Sequence, residues 1–203
     1  MKNLVNKIRK IQSTNISKTI NQRLKEFSNQ KEWFSELCFC ILTANSKAKT
    51  AIAIQNELGV DGFSKLSQDE LALVIRRNKH RFHNNKAKFI VLAREYLDVK
   101  EKLKRFNDEK EMREWLVKNI KGLGYKEASH FLRNVGFRNL AILDRHIINL
   151  LSENKLIEKP KSLNRKNYLD IEKVMEGLCS ELDMNQAELD MHMWYMKTGE
   201  VLK

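Results

Sequence analysis

Residues that interrupt helices are scarce in this chain: Pro160 is its one proline, and it has only seven glycines among 203 residues. Lys and Leu, both good helix formers, are the most frequent residue types, and no segment alternates polar and apolar residues as a half-buried strand would. The sequence therefore predicts an all-α protein.

Helix starts can be located from pairs of side chains at the spacing of a capping box, in which each side chain binds the other residue's backbone amide. The pairs are Asn29 with Glu32, Ser67 with Glu70, Asp108 with Glu111, and Asn185 with Glu188. Each pair precedes apolar residues at helical spacing. The first such stretch, 33–44, is apolar on nearly every face, so we expect a central buried helix there.

Further helices are predicted between these starts, where apolar residues recur with helical periodicity. They cover residues 4–12, 18–27, 48–58, 86–97, 126–135, 144–151 and 167–182. Glycines at 59, 62 and 136 separate some of them. No repeat and no low-complexity linker divides the chain, so any second subdomain must be packed against the first.

The chain is strongly basic, with a net charge of +12 and an isoelectric point near 9.6. This charge indicates a polyanionic partner, either a nucleic acid or an anionic membrane surface. No apolar run approaches the length of a membrane span, and residues 1–8 alternate too quickly for a signal peptide. Because the cations are spread along the chain and no segment is amphipathic with aromatic anchors, we expect no membrane association.

The segment Gly122-Leu123-Gly124-Tyr125-Lys126 places two glycines between two predicted helices, which is the pattern of a helix-hairpin-helix. Glycines let backbone amides approach a phosphate closely, and the following helix offers it a positive end. Gly122 and Gly124 are therefore candidate DNA contacts, although an ordinary helical turn explains the same pattern.

Lys126 lies in the first turn of the helix predicted at 126–135, where the helix dipole disfavours a cation. With partial burial, that position favours an uncharged amine, which could attack a sugar carbon of DNA. A solvated lysine that contacts a phosphate is the alternative. Asp144 ends the apolar run 141–143 and could cap the next helix. A direct ion pair would keep the amine charged, so we predict that Asp144 faces the sugar and stabilises positive charge as the glycosidic bond breaks.

The hairpin and the later Leu143-Asp144-Arg145-His146 resemble the helix-hairpin-helix DNA glycosylases. More narrowly, the chain resembles the compact archaeal and bacterial 8-oxoguanine DNA glycosylases. The narrower resemblance depends on three further segments: Leu42-Thr43-Ala44-Asn45-Ser46, Arg81-Phe82-His83-Asn84-Asn85-Lys86, and the C-terminal residues 194–203, which end in a lysine.

This resemblance implies two packed helical subdomains with a cleft between them. A helical barrel at 28–139 would contain the hairpin, at about 111–135, and residues 1–27 and 140–203 would form the second subdomain. It also implies a bifunctional enzyme that excises 8-oxoguanine and then cleaves the strand at the apurinic site, by β-elimination through a lysine Schiff base.

The resemblance also assigns roles to particular residues. Lys126 would match the family's nucleophile and Asp144 its aspartate. Phe82 and Trp194 would sandwich the oxidised guanine, although either could be a core residue. Lys203 would belong to the recognition pocket, which requires the C-terminal tail to be docked.

Two further residues have weaker assignments. Asn45 lies where relatives insert a side chain into the space vacated by the flipped base, but it could also end the buried helix. His146 would reach a DNA phosphate. His130 and His192 are interpreted as structural, and His80 and His83 as surface or phosphate-contacting residues.

No metal or other cofactor is expected. Many relatives hold an iron–sulfur cluster on four cysteines near the C-terminus, but only Cys179 lies there, and His80 and His83 lack further ligands. Cys38, Cys40 and Cys179 are interpreted as core residues of a protein in a reducing, cytoplasmic compartment, associated with the nucleoid of a prokaryote.

The expected partner is double-stranded DNA containing 8-oxoguanine, bound by a monomer. Two alternatives remain open: a glycosylase for another damaged base, and a non-catalytic hairpin module that binds DNA through phosphates alone.

Overall fold

The computed structural model describes residues 2–203, and within that range it contains helices and turns but no strand. The all-α class predicted from the sequence is confirmed. In chain order the helices are α1 (Lys2–Gln12), α2 (Asn15–Ser28), α3 (Trp33–Thr43), α4 (Ala48–Lys65), α5 (Gln68–Arg77), α6 (His83–Ala93), a 3-10 turn (Arg94–Tyr96), α7 (Val99–Leu103), α8 (Glu109–Asn119), α9 (Tyr125–Asn134), α10 (Arg145–Glu153), α11 (Arg165–Leu182) and α12 (Gln186–Thr198).

Side chains cap several of these helices as predicted. Ser67 and Asn185 form complete capping boxes at the starts of α5 and α12. Asp108 caps α8 by accepting hydrogen bonds from the backbone N–H groups of Lys110 and Glu111. Each cap satisfies amides that have no partner within the helix, which explains why these helices begin where they do.

The predicted capping box of Asn29 and Glu32 is wrong. Asn29 ends α2, and its N–H donates to the carbonyl oxygens of Glu26 and Phe27. α3 begins at Trp33, so its N-cap is Glu32, whose side chain makes no capping hydrogen bond. Between the two helices, Oε1 of Gln30 accepts a hydrogen bond of 2.9 Å from the N–H of Glu32.

The chain forms two compact units. One comprises residues 30–131 and is called the central unit here; the other comprises the described residues up to Asn29 together with 132–203 and is called the terminal unit. The second boundary lies within α9, whereas the bounds predicted from the sequence place it between 139 and 140. Those subdomain bounds stay a prediction.

The central unit is organised around α3, which packs against α4, α6 and α7. Every residue from Phe34 to Thr43 is buried, so the predicted central helix is confirmed. Its two thiols, Cys38 and Cys40, are free and buried. Gly59 has a non-helical backbone, with φ +57° and ψ −167°, so α4 consists of two helical segments that meet at a kink there. The predicted break at that glycine is confirmed.

The terminal unit packs α12 against α1, α2, α10 and α11. Ile20, Leu24, Phe27, Ala187 and Met191 form one buried apolar cluster between α2 and α12. Beside it, Arg133 at the end of α9 donates to Asp190 of α12, with 2.7 Å between Nη1 and Oδ2. Both side chains are buried. A buried ion pair tolerates little change in geometry, so this one fixes the end of α9 against α12.

Candidate active site

The hairpin between α8 and α9 depends on a glycine at position 122. Gly122 has φ +94°, and a Cβ atom there would lie 2.5 Å from Cδ2 of Phe89. A side chain at this position would be both strained and overlapping. Leu123 closes the turn by donating from its N–H to the carbonyl oxygen of Ile120 at 3.2 Å. The predicted helix-hairpin-helix is therefore present, and the two glycines differ, because Gly124 has an ordinary negative φ.

A buried arginine locks the start of α9 to α8. Arg113 is fully buried; its Nη1 donates to Oγ of Ser129 at 3.2 Å, and its guanidinium lies 5.3 Å from the centroid of the Tyr125 ring. The Tyr125 hydroxyl donates in turn to Oε2 of Glu114 at 2.5 Å. The residue that directly precedes Lys126 is thus held from two sides, which restricts the backbone that carries the lysine.

Lys126 occupies the first turn of α9, as predicted, and its side chain is 24% exposed. Its Nζ lies 3.3 Å from Oε1 of Glu127, while Oε2 of the same carboxylate accepts a hydrogen bond of 3.2 Å from the N–H of Gly124. Glu127 thereby connects the turn to the lysine. The carboxylate also lies in the first turn of α9, where the positive end of the helix dipole stabilises a negative charge.

The contacts of Glu127 were not predicted from the sequence, although a local sequence pattern indicates them. Gly124 directly precedes α9 and Glu127 is the third residue of that helix. This is the spacing of the glutamate half of a capping box, with glycine in place of the usual Ser or Thr. A search that allowed glycine at the first position would have found it.

Asp144 is the N-cap of α10, as predicted. Its Oδ1 accepts hydrogen bonds of 2.8 Å from the N–H groups of both His146 and Ile147. Among residues 2–203, no group donates to its Oδ2, so one carboxylate oxygen is held by the helix and the other can interact with a substrate. The preceding residue is also fixed, because the N–H of Leu143 donates to the hydroxyl of buried Tyr168 at 3.3 Å.

Two other predicted site residues lie beside each other in the terminal unit. The rings of His146 and Trp194 meet edge to face, with centroids 5.2 Å apart and an interplanar angle of 86°. Within residues 2–203, Nε1 of Trp194 is buried and has no hydrogen-bond partner. A buried indole N–H without an acceptor is uncommon, and such a donor could be satisfied by a bound molecule.

The C-terminal tail is anchored. Gly199 ends α12 in the left-handed conformation with φ +71°, and Val201 packs against the apolar cluster between α2 and α12. Lys203 is half-buried. The tail therefore meets the requirement that the predicted pocket role of Lys203 makes, although that role itself stays a prediction.

The remaining predicted residues belong to the central unit. Asn45 is exposed and has φ +61°, a conformation that asparagine tolerates better than most residues, and it follows the end of α3. Phe82 directly precedes α6 and is half-buried, with the guanidinium of Arg81 5.1 Å from its ring centroid. The interpretation of His80 as a surface or phosphate-contacting residue is wrong, because His80 is only 2% exposed.

The central unit thus carries the predicted residues Asn45, Phe82, Gly122, Gly124 and Lys126, and the terminal unit carries Asp144, His146, Trp194 and Lys203. Within residues 2–203, no group of three or more His, Cys, Asp or Glu side chains is arranged to hold a metal ion. No helix in the described part of the chain is both long and apolar enough to cross a membrane.

Known proteins resemble this chain over nearly its full length. It is 47% identical to the 8-oxoguanine DNA glycosylase/AP lyase of Methanocaldococcus jannaschii, over 98% of this chain and 99% of that protein. It is 45% identical to the protein of the same description from Korarchaeum cryptofilum, with 98% of both chains covered.

Solved structures agree with these relatives. The crystal structure of the M. jannaschii enzyme in complex with a 15mer DNA containing 8-oxoguanine matches with a TM-score of 0.96, covering 98% of this chain and 99% of that one. The 8-oxoguanine DNA glycosylase of Thermotoga maritima matches with a TM-score of 0.93 at 37% identity, covering 100% of this chain and 99% of that one.

The similarity to these proteins thus extends over nearly the whole chain. It includes the helix-hairpin-helix that carries Lys126 and the capping aspartate, Asp144, that follows it. The family model described as 8-oxoguanine DNA glycosylase matches residues 18–184. The chain therefore belongs to the family of 8-oxoguanine DNA glycosylases.

Proposed function

We propose that this protein excises 8-oxoguanine from double-stranded DNA and then cleaves the strand at the resulting apurinic site. The observation that carries this proposal is the position of Lys126, in the first turn after a hairpin whose glycine cannot be replaced without overlap. The family and its relatives, some of which are described as both glycosylase and AP lyase, support the same two steps.

Lys126 is the proposed nucleophile. The lone pair of its nitrogen forms a bond to C1′ of the damaged nucleotide as the C1′–N9 bond breaks, and the base leaves with that electron pair and takes up a proton. The nitrogen then loses a proton, and its lone pair forms the C1′=N bond of a Schiff base as the C1′–O4′ bond breaks and O4′ takes up a proton. Removal of a proton from C2′ then expels the 3′ phosphate, which is the lyase step.

Asp144 is the proposed electrostatic partner. Because Oδ1 is held by two backbone N–H groups, the carboxylate has a fixed orientation and needs no reorganisation when positive charge develops on the sugar. Oδ2 is the oxygen that we assign to this role. Glu127, whose carboxylate contacts both Lys126 and the turn, is proposed to hold the amine in place in the free protein. Because a direct ion pair keeps an amine charged, we propose that this contact is released before attack.

Recognition of the base is proposed to involve Phe82, Trp194 and Lys203. Aromatic faces replace the stacking that a flipped base loses, and the buried N–H of Trp194 is a donor without a partner in the described chain. Asn45 is proposed to enter the space left in the duplex. Gly122, Gly124 and His146 are proposed to contact phosphates, in keeping with the basic charge.

A single chain carries all of these residues, so we propose a monomer that acts on the chromosomal DNA of a prokaryotic cell. Sedimentation of the protein alone and with one duplex would test the oligomeric state.

Borohydride trapping tests the catalytic proposal. On a duplex with one 8-oxoguanine, the wild-type protein should form a covalent adduct. Lys126→Gln should form none while still binding the duplex, because only the nucleophile is lost. Lys121→Gln, which changes an exposed lysine of the same hairpin, should be trapped like the wild type. An adduct with Lys126→Gln, or none with the wild type, would refute the proposal.

A further inference from the structure

The carbonyl groups at the C-terminal end of α3 are bound by side chains and by the turn that follows the helix. The last four carbonyl groups of a helix have no partner within it. Here Thr43 Oγ1 donates to the carbonyl of Cys40 at 2.8 Å, and the N–H of Ser46 donates to that of Thr43 at 3.1 Å. The two carbonyls between them are bound by side chains from elsewhere in the chain.

One of those side chains lies just before α6 and the other lies within its first turn. Nζ of Lys86 donates to the carbonyl of Ile41 at 2.6 Å, and Nε2 of His80 lies 2.9 Å from the carbonyl oxygen of Leu42. Both side chains are buried. The end of α3, directly before Asn45, is therefore joined to the segment that contains Phe82.

The hydrogen bonds of His80 determine its tautomer. A carbonyl oxygen can only accept, so Nε2 must carry a proton and donate to Leu42. Nδ1 lies 3.1 Å from the backbone nitrogen of Phe82, whose N–H can only donate, so Nδ1 must be unprotonated. A neutral imidazole with its proton on Nε2 satisfies both partners, and neither the other tautomer nor the cation does.

The surroundings of His80 favour the same form. Burial lowers the pKa of His80, and the charges of Lys86 and His83 act in the same direction, while the hydrogen bond to Leu42 opposes them. The neutral form of the ring is therefore favoured at neutral pH, so one ring nitrogen can donate a hydrogen bond while the other accepts one.

We propose that His80 is a positioning residue for base excision: it ties the backbone of Phe82 to the end of α3 and so sets the ring of Phe82 relative to Asn45. This inference rests on the proposed function, in which Phe82 stacks on the flipped base and Asn45 enters the vacated space. His80 itself touches neither base nor sugar.

The two steps of the reaction provide the test, because an apurinic site has no base left to stack. His80→Phe removes both hydrogen bonds and retains a ring. It should slow single-turnover excision of 8-oxoguanine about tenfold, in line with the loss of one stacked base. Strand cleavage of a duplex with a preformed apurinic site should stay within about twofold of the wild type, because that site offers no base on which Phe82 could stack.

Two further variants serve as controls. His80→Gln keeps a donor for the carbonyl of Leu42 and should retain more excision activity than His80→Phe. Asp69→Asn changes an exposed residue of α5 that has no proposed role, and it should behave like the wild type. Equal loss of both steps in His80→Phe would overturn the proposal, since a merely destabilised protein behaves in that way.

A measurement on the unaltered protein keeps the inference testable if His80→Phe fails to fold. A long-range proton–nitrogen NMR spectrum at neutral pH should show His80 protonated on Nε2 alone, with the signal assigned by its absence in His80→Gln. The opposite tautomer or a doubly protonated ring would overturn the inference. An inactive wild-type protein would refute the proposed function as well, whereas an active wild type with a fully active His80→Phe would overturn only this inference.

Discussion

Lys86 is buried, and the loss of stability caused by burying its charge can be measured. Burial lowers its pKa from 10.5 to about 8; the carboxylate of Glu127 opposes this shift and the charge of Lys126 adds to it. The amine nevertheless keeps a hydrogen bond of 2.6 Å to the carbonyl of Ile41. A pKa that falls from 10.5 to about 8 means that folding disfavours the protonated form by about 3 kcal/mol.

The sign of the pH dependence follows from this difference. Because the pKa of Lys86 is lower in the folded protein, the unfolded chain binds the proton more tightly between pH 8 and pH 10.5. The destabilisation caused by the charge of Lys86 is therefore complete below about pH 8, and it disappears as the pH rises toward 10.5. About 2 kcal/mol of it should be recovered between about pH 7 and pH 9.5.

Lys86→Met removes the titrating group and keeps a side chain of similar length. The free energy of unfolding of variant and wild type is measured by urea denaturation at both pH values. The stability of the variant relative to the wild type should fall by about 2 kcal/mol on going to the higher pH. Lys88→Met, at an exposed position of the same helix, should keep a constant difference. A constant difference for Lys86→Met would refute the reasoning.

Two other predictions concern the hairpin and the tail. Gly122→Ala should lower the free energy of unfolding by about 2–4 kcal/mol, because of the positive φ and the overlap with Phe89. The control Gly124→Ala should change it by less than about 1 kcal/mol. Denaturation curves that coincide for the two variants would contradict this prediction. Deleting Lys203 should weaken discrimination between 8-oxoguanine and guanine in excision assays while preserving the melting temperature, and unchanged selectivity would argue against its pocket role.

Features that depend on a few neighbouring residues were predictable from the sequence. The capping boxes at Ser67 and Asn185, the cap at Asp144 and the turn at Gly122 all form within about one helical turn. Their hydrogen bonds join residues two or three positions apart, so residue type and spacing are sufficient to identify them. The burial of α3 was also predictable, because it is apolar on nearly every face.

The error at His80 arose because the group that it binds comes from a distant part of the chain. His80 directly precedes an exposed arginine, and Lys86 follows the exposed Asn85. The burial of both depends on carbonyl groups of α3, at separations of 38 and 45 residues. The error at the Asn29–Glu32 pair is local: the spacing is correct, but Asn29 ends α2 and the N-cap of α3 is Glu32.

The sequence by itself determined the helical class, most helix starts and the hairpin that carries Lys126, because local hydrogen bonds and apolar periodicity encode them. Only the tertiary structure decided which polar side chains lie inside, such as Arg113, His80 and Lys86. Most buried donors have an acceptor, and for these three side chains the acceptor is supplied by packing against a distant residue and not by the neighbouring sequence.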